Sequence, residues 1–124
     1  MVYDVAVIGA GVSGALIARE LSRYDLKIAL LEKNNDVATE TSKANSAIVH
    51  AGYDAKEGTL KAKLNVRGAK MMGSLCADLS VPFQNIGSLV LAFSEEEMET
   101  LRGLLERGQH NHAVSYTHLT LPTT

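Results

Sequence analysis

One cysteine stands in a chain of 124 residues, so no internal disulfide can form. That residue, Cys76, lies in a helical apolar pattern beside Leu75 and Leu79, where a buried thiol is expected in preference to a nucleophile. Charge of one sign is also lacking: 12 basic against 14 acidic side chains leave a formal net charge of −2. The two signs are interspersed, which excludes a basic face for nucleic acid or for an anionic membrane. No apolar run approaches the roughly 18 residues of a membrane span, and the longest candidate, Ile86 to Phe93, is strand-sized. Nothing basic precedes the first apolar stretch, and a glycine-rich turn interrupts it, so a secretory signal is not expected and a cytoplasmic location is. The length suits about one ordinary domain and is short for an enzyme built on a dinucleotide fold.

What the chain does have is concentrated at its start. From Tyr3 to Glu32 it reads as one complete β-turn-α-β unit. Val5 to Ile8 form an apolar run short enough for a buried strand, and Gly9, Gly11 and Gly14 follow in G-x-G-x-x-G spacing. Gly9 allows the tight turn off the strand, Gly11 removes a Cβ where a pyrophosphate must approach backbone, and Gly14 lets the helix pack close to the sheet. The helix then directs its N-terminal N–H groups and positive dipole end at the phosphates. Gly14, Ile17, Ala18 and Leu21 fall at i, i+3, i+4 and i+7, giving an apolar face, while Arg19, Glu20 and Arg23 take the wet side. After a turn at Tyr24-Asp25, Lys27 to Leu31 make a second strand ending at Glu32, placed for a carboxylate that accepts hydrogen bonds from ribose hydroxyls. A glycine motif alone is weak; strand, helix face, second strand and terminal acid together predict dinucleotide binding.

Residues 34–45 are polar and loop-like. Ser46 to Tyr53 is a short apolar piece ending near Gly52, able to bring backbone and the His50 imidazole close to a flat ligand. Taken alone, His50 reads first as an ordinary strand-end histidine and only second as a ligand-facing one. From Gly58 to Leu79 the apolar residues Leu60, Leu64, Met71, Leu75 and Leu79 recur at helical intervals, and Gly68 on the same face predicts close packing against another backbone. Lys61, Lys63, Arg67 and Lys70 read as solvated charge, with steering of an anionic substrate as the alternative. Pro82 ends the helical region, and Ile86 to Phe93 is predicted as a strand with both faces covered. Ser94 followed by Glu95, Glu96 and Glu97 is a capping box, and Met98, Leu101 and Leu105 supply the buried stripe of a helix ending near Gly108. Beyond Asn111 there is neither charge nor helical period. His110, His112 and His118 match no usual zinc spacing and lack a carboxylate or thiolate, so no metal site is expected. The stretch from Ser115 to Thr124 resembles translated adapter sequence and is set apart from the fold.

When the first unit is joined to Thr41-Ser42, Asn45-Ser46 and His50-Ala51-Gly52, the chain resembles the D-amino-acid-oxidase-like superfamily of FAD-dependent oxidoreductases. The similarity is greatest to its glycerol-3-phosphate dehydrogenase and L-2-hydroxyglutarate oxidase branches. The resemblance implies an α/β fold: a Rossmann-like βαβ FAD-binding unit followed by the start of a substrate domain, in an incomplete domain because family members are several times longer. It implies a cofactor-binding part over 1–80, the start of a substrate domain over 81–111, and an atypical tail over 112–124. Gly9, Gly11 and Gly14 would hold the FAD pyrophosphate, with Val12 and Ser13 at the helix start. Glu32 would hold the adenosine ribose, with Lys33 beside it. Thr41, Ser42 and Ser46 would lie near the flavin-side phosphate or the ring, and His50 and Gly52 would face the isoalloxazine, His50 being the catalytic candidate.

The expected activity is hydride transfer to FAD from a small-molecule substrate, a hydroxy acid or polyol phosphate, with amino acids as the less favoured donors. The residues name no electron acceptor. A nicotinamide-binding module is the competing class, since Glu32 would serve an NAD ribose equally well, and a non-catalytic FAD-binding subunit is a third. The polar loop after Glu32 discriminates, because an NAD-type fold would normally continue with another βα unit there.

Overall fold

The computed structural model describes residues 2–113; the expectations placed on 114–124, including His118 and most of the atypical tail, lie outside them. The chain divides into two compact units, Met1–Ala47 and Ile48–Thr124, and each has its own internal logic.

In the first unit, β1 (Val5–Ile8), α1 (Val12–Leu21) and β2 (Ile28–Leu31) form a βαβ unit. The strands pair in parallel with Val5 opposite Ile28 and Ile8 opposite Leu31. β-Branched Val5, Val7 and Ile8 suit a pleated surface. The start of the pair is fastened by Asp4, whose carboxylate accepts from Lys27 N–H at 2.8 Å while its own N–H donates to Lys27 O at 2.9 Å. Val7 is buried and meets α1 at Gly14. Helix α1 stops where Ser22 Oγ donates to Arg19 O at 2.7 Å and Tyr24 N–H donates to Leu21 O, at the expected turn. The face it presents differs from the predicted one in one place. Gly14, Ala18 and Leu21 are half-buried, but Ile17 is 52% exposed, because a two-stranded sheet is too narrow to cover the whole stripe.

In the second unit, α2 (Leu60–Asp78) and α3 (Glu95–His110) supply the regular structure. Thr59 caps α2 by accepting from Ala62 N–H at 3.2 Å. Ala62, Val66 and Cys76 are its buried positions, so the cysteine is a packed thiol as expected. Ser94 caps α3 as expected, its Oγ accepting from Glu97 N–H at 3.2 Å, while the Glu97 carboxylate accepts at 2.6 Å from the N–H of Phe93, one residue before the cap, in place of that of Ser94. Three acids in the first turn complement the helix dipole. Met98, Leu101 and Leu105 are half-buried.

Two expectations fail here. Among the described residues Gly68 has no neighbour within 4 Å of the position a Cβ would take, so none of their backbone packs against it. Ile86 to Phe93 is not a strand, and its faces are not covered: Ile86, Leu89 and Phe93 are more than four-fifths exposed. The alternation is present, but Gly87 turns to φ +73°, and among the described residues no strand pairs with the segment. A strand without a ladder partner leaves its N–H and C=O groups to water.

Candidate functional site

The turn from β1 into α1 needs glycine for two separate reasons, a left-handed backbone at Gly9 and a blocked Cβ position at Gly14. Gly9 adopts φ +96°, a conformation costly for residues with a Cβ, and donates to Leu31 O at 2.7 Å. A Cβ on Gly14 would overlap the Gly9 carbonyl oxygen. Gly11 is the N-cap of α1 and offers no capping side chain. The cap comes from far along the chain instead: Ser42 Oγ accepts from Val12 N–H at 2.8 Å.

Glu32 closes the other side of the turn. One carboxylate oxygen accepts from Ala10 N–H at 2.8 Å and the other from Asn34 N–H at 3.0 Å. These donors, that of Asn34 first and that of Ala10 next, hold its carboxyl below the usual glutamate range. Each carboxylate oxygen has two lone pairs, so both retain one for a ligand hydroxyl. The residues beyond Glu32 fold back over the turn. Ala38 N–H donates to Ala10 O at 3.1 Å, Asn34 Nδ2 donates to Thr39 Oγ1 at 2.8 Å, and Lys33 Nζ pairs with Glu40 Oε1 at 2.7 Å. The ion pair raises the Lys33 pKa and lowers that of Glu40, the Lys33–Glu40 hydrogen bond being the larger cause in each.

Between turn and loop lies an open cleft of about 530 Å³, lined by Gly9, Gly11, Glu32, Lys33, Thr41 and Ser42 among others. That is a usual size for a cofactor site. The exposed ends of the strands, Ile8 and Leu31, give it an apolar seat. Six of the residues singled out from the sequence are thus brought to one cavity. Gly14 lies beneath it and Val12 starts the helix. Ser13 and Ser46 are exposed and do not line it.

His50 and Gly52 belong to the second unit, where they line a smaller cleft of about 300 Å³ with Tyr53, Asp54, Lys61 and Asn65. Asn65 Nδ2 donates to His50 O at 2.9 Å. Gly52 has φ +104°, and a Cβ there would lie 2.5 Å from Val66 Cγ2.

Sequence reasoning missed several residues that shape these clefts. Ala10 and Asn34 act through backbone N–H groups, which any residue but proline carries. Asn45 holds the loop by donating to Thr41 O and Ser42 O at 3.1 and 2.8 Å. The Asn45-Ser46 pair was visible as part of a motif, but nothing in it signalled which residue was structural.

Comparison with known proteins gives the chain its family. The family described as FAD dependent oxidoreductase matches residues 4–122. A glycerol 3-phosphate dehydrogenase from Caloramator mitchellensis is 62% identical over 109 residues, covering 88% of this chain and 23% of the relative. An L-2-hydroxyglutarate dehydrogenase from Dictyostelium discoideum is 39% identical over 112 residues, covering 89% of this chain and 25% of the relative. The FAD-bound, dithionite-reduced L-alpha-glycerophosphate oxidase of Mycoplasma pneumoniae superposes with a TM-score of 0.82 at 41% identity, over 90% of this chain and 29% of that one. The chain therefore spans roughly a quarter of the length of these relatives, and over that span it belongs to the FAD dependent oxidoreductase family.

Proposed function

We propose that residues 1–80 supply the N-terminal part of the FAD-holding domain, and residues 81–111 the start of the substrate part, of an oxidoreductase that oxidises a CH–OH donor, most like glycerol 3-phosphate dehydrogenase. The observation that carries the reading is the Glu32 carboxylate, pinned by Ala10 and Asn34 N–H groups beside the Gly9–Gly14 turn. Its free lone pairs suit ribose hydroxyls, and the side-chain-free approach at Gly11 suits a pyrophosphate. The loop favours FAD over a nicotinamide. After Glu32 the chain does not enter another βα unit but folds back on the turn through Ala38 and Ser42.

In this reading Gly9, Gly11, Gly14, Val12 and Ser13 hold the pyrophosphate, Glu32 and Lys33 the adenosine side, and Thr41, Ser42 and Ser46 the remainder of the cofactor. His50 and Gly52 face the flavin ring, with His50 polarising the ring or a substrate oxygen. Bound FAD supplies the acceptor for a hydride from the carbinol carbon, while the hydroxyl proton leaves to a base. A polyol phosphate is favoured because the glycerol 3-phosphate dehydrogenase is 62% identical, against 39% for the L-2-hydroxyglutarate enzyme. The reading includes the boundary at residue 80 between cofactor-binding and substrate parts. It also includes a cytoplasmic location; among the described residues no helix is long and apolar enough to cross a membrane.

The test is chemical. The holoenzyme should be yellow, release FAD on denaturation, and bleach anaerobically with glycerol 3-phosphate faster than with L-2-hydroxyglutarate or amino acids. Recovery of NAD with no flavin would overturn the cofactor reading. Faster bleaching by L-2-hydroxyglutarate would overturn the choice of substrate alone.

A further inference from the structure

The segment just after His50 has no regular secondary structure of its own, yet Gly52 and Ala55 are buried. Buried carbonyls in such a segment need donors from elsewhere. They receive them from the end of α3. Asn111, the C-cap of that helix, donates from its partly buried Nδ2 to Ala55 O at 2.7 Å and to Gly52 O at 3.0 Å. Arg107 Nη1 donates to Asp54 O at 3.2 Å, and His110 Nδ1 contacts Glu57 Oε2 at 3.0 Å. The helix can come this close because residue 108 is glycine: it is buried, and a Cβ there would stand 3.0 Å from Tyr53 Cβ. On the opposite side Val66 presses on Gly52. Residues 52–57 are thus in contact with both α2 and α3, the α3 contacts coming from residues more than fifty positions later in the chain.

Asn111 has a feature the other contacts lack. A carboxamide nitrogen carries two protons, and the two acceptors at Gly52 and Ala55 match that number, fixing both ends of a four-residue arc with one group. We propose that Asn111 is a positioning residue: its carboxamide sets the backbone of Gly52–Ala55, and through it the pose of the adjoining His50. This inference rests on the reading above that His50 faces the flavin.

The experiment replaces Asn111 in the holoenzyme. Asn111→Ala removes the donors, Asn111→Asp keeps the shape but removes them, and Asn111→Gln keeps them one methylene further out. Amide hydrogen exchange over 50–57 should accelerate ten-fold or more in the Ala and Asp variants, with α2 unchanged and partial recovery in the Gln variant. Stopped-flow reduction of the bound flavin should slow at least ten-fold while FAD content and substrate KM stay near those of the parent. Should the Ala variant fail to fold, the Asp variant carries the comparison. Unchanged exchange over 50–57 overturns the proposal. Accelerated exchange with an unchanged rate of flavin reduction overturns it as well, because the pose would then not matter to the reaction. Failure of the cofactor reading is distinguishable, since it shows in the unsubstituted protein as an absence of flavin, while the exchange measurement still decides whether Asn111 holds the segment.

Discussion

Gly14 stands directly beneath the carbonyl of Gly9: a Cβ built on Gly14 would overlap that oxygen and also touch Val7 Cγ1 at 3.5 Å. The obstructing atom is backbone and cannot swing aside. Gly14→Ala must therefore move α1 away from β1 and reshape the cofactor turn. Overpacking of this kind costs roughly 1–3 kcal/mol, a large fraction of the stability of a small unit. The expected outcome is a lowered urea midpoint together with loss of FAD from the holoenzyme. A variant with unchanged midpoint and flavin content would show that the turn tolerates the shift.

Ser42 caps α1 across the loop by accepting from Val12 N–H. Loss of a capping hydroxyl typically costs about 1 kcal/mol. Under the proposed function a phosphate oxygen can take the same N–H, so the cost should shrink once FAD is bound. Ser42→Ala is expected to lower the Tm of the apoprotein more than that of the FAD-saturated protein. Thermal scans of both forms check this, and an equal drop in the two would argue against a phosphate at Val12.

The first unit was legible in the sequence because its information is local. Four apolar residues, three glycines at fixed spacing, an amphipathic stripe and a terminal acid each constrain neighbours within a turn or two. What escaped was set at long range. Asn111 carries no local signal, the helix being expected to end near Gly108, and its acceptors lie 56 and 59 positions earlier. Ser42 belongs to a recognisable motif, but its bond to Val12 is not legible in a loop. The strand expected over 86–93 shows the opposite error: alternation in Leu89, Leu91 and Phe93 is a local signal for an element that needs a pairing partner, and none is present among the described residues. Gly68 erred similarly, since a glycine on a helix face permits close approach without requiring it.

Gly52 combines two obstacles that can be separated. Its φ of +104° is strained for any L side chain, and a Cβ would meet Val66 Cγ2 at 2.5 Å. Gly52→Ala should destabilise the second unit by about 1–3 kcal/mol from each source of strain. Adding Val66→Ala removes the clash but leaves the backbone strain and creates a small void, so the double variant should recover only part of the loss. Urea unfolding of the two single variants and the double variant completes the cycle. Simple additivity of the two single costs would mean that Val66 is not what opposes the Cβ.

Glu32 joins stability and cofactor binding in one side chain, and the two can be read apart by pH. Its carboxyl is held below the ordinary glutamate value by the N–H groups of Asn34 and Ala10. A depressed folded-state pKa means that the carboxylate stabilises the fold at pH values above the ordinary value of about 4.3, and that this contribution is lost as pH falls from there through the lowered folded value. Glu32→Gln cannot titrate. It also turns an NH2 donor towards one of the two backbone donors, leaving that N–H without a partner. The variant should be less stable than the parent at neutral pH, and the difference should narrow as pH falls below about 4.3. Urea midpoints measured from pH 7 to pH 3 test this; parallel curves would mean that the two backbone bonds do not hold the carboxylate in solution. The binding arm uses Glu32→Ala in apoprotein titrated with FAD at neutral pH. Loss of the charge-assisted hydrogen bonds to the ribose hydroxyls should raise Kd about ten-fold or more. An unchanged Kd beside a changed pH profile would leave Glu32 as a brace for the turn and remove the ribose from its carboxylate.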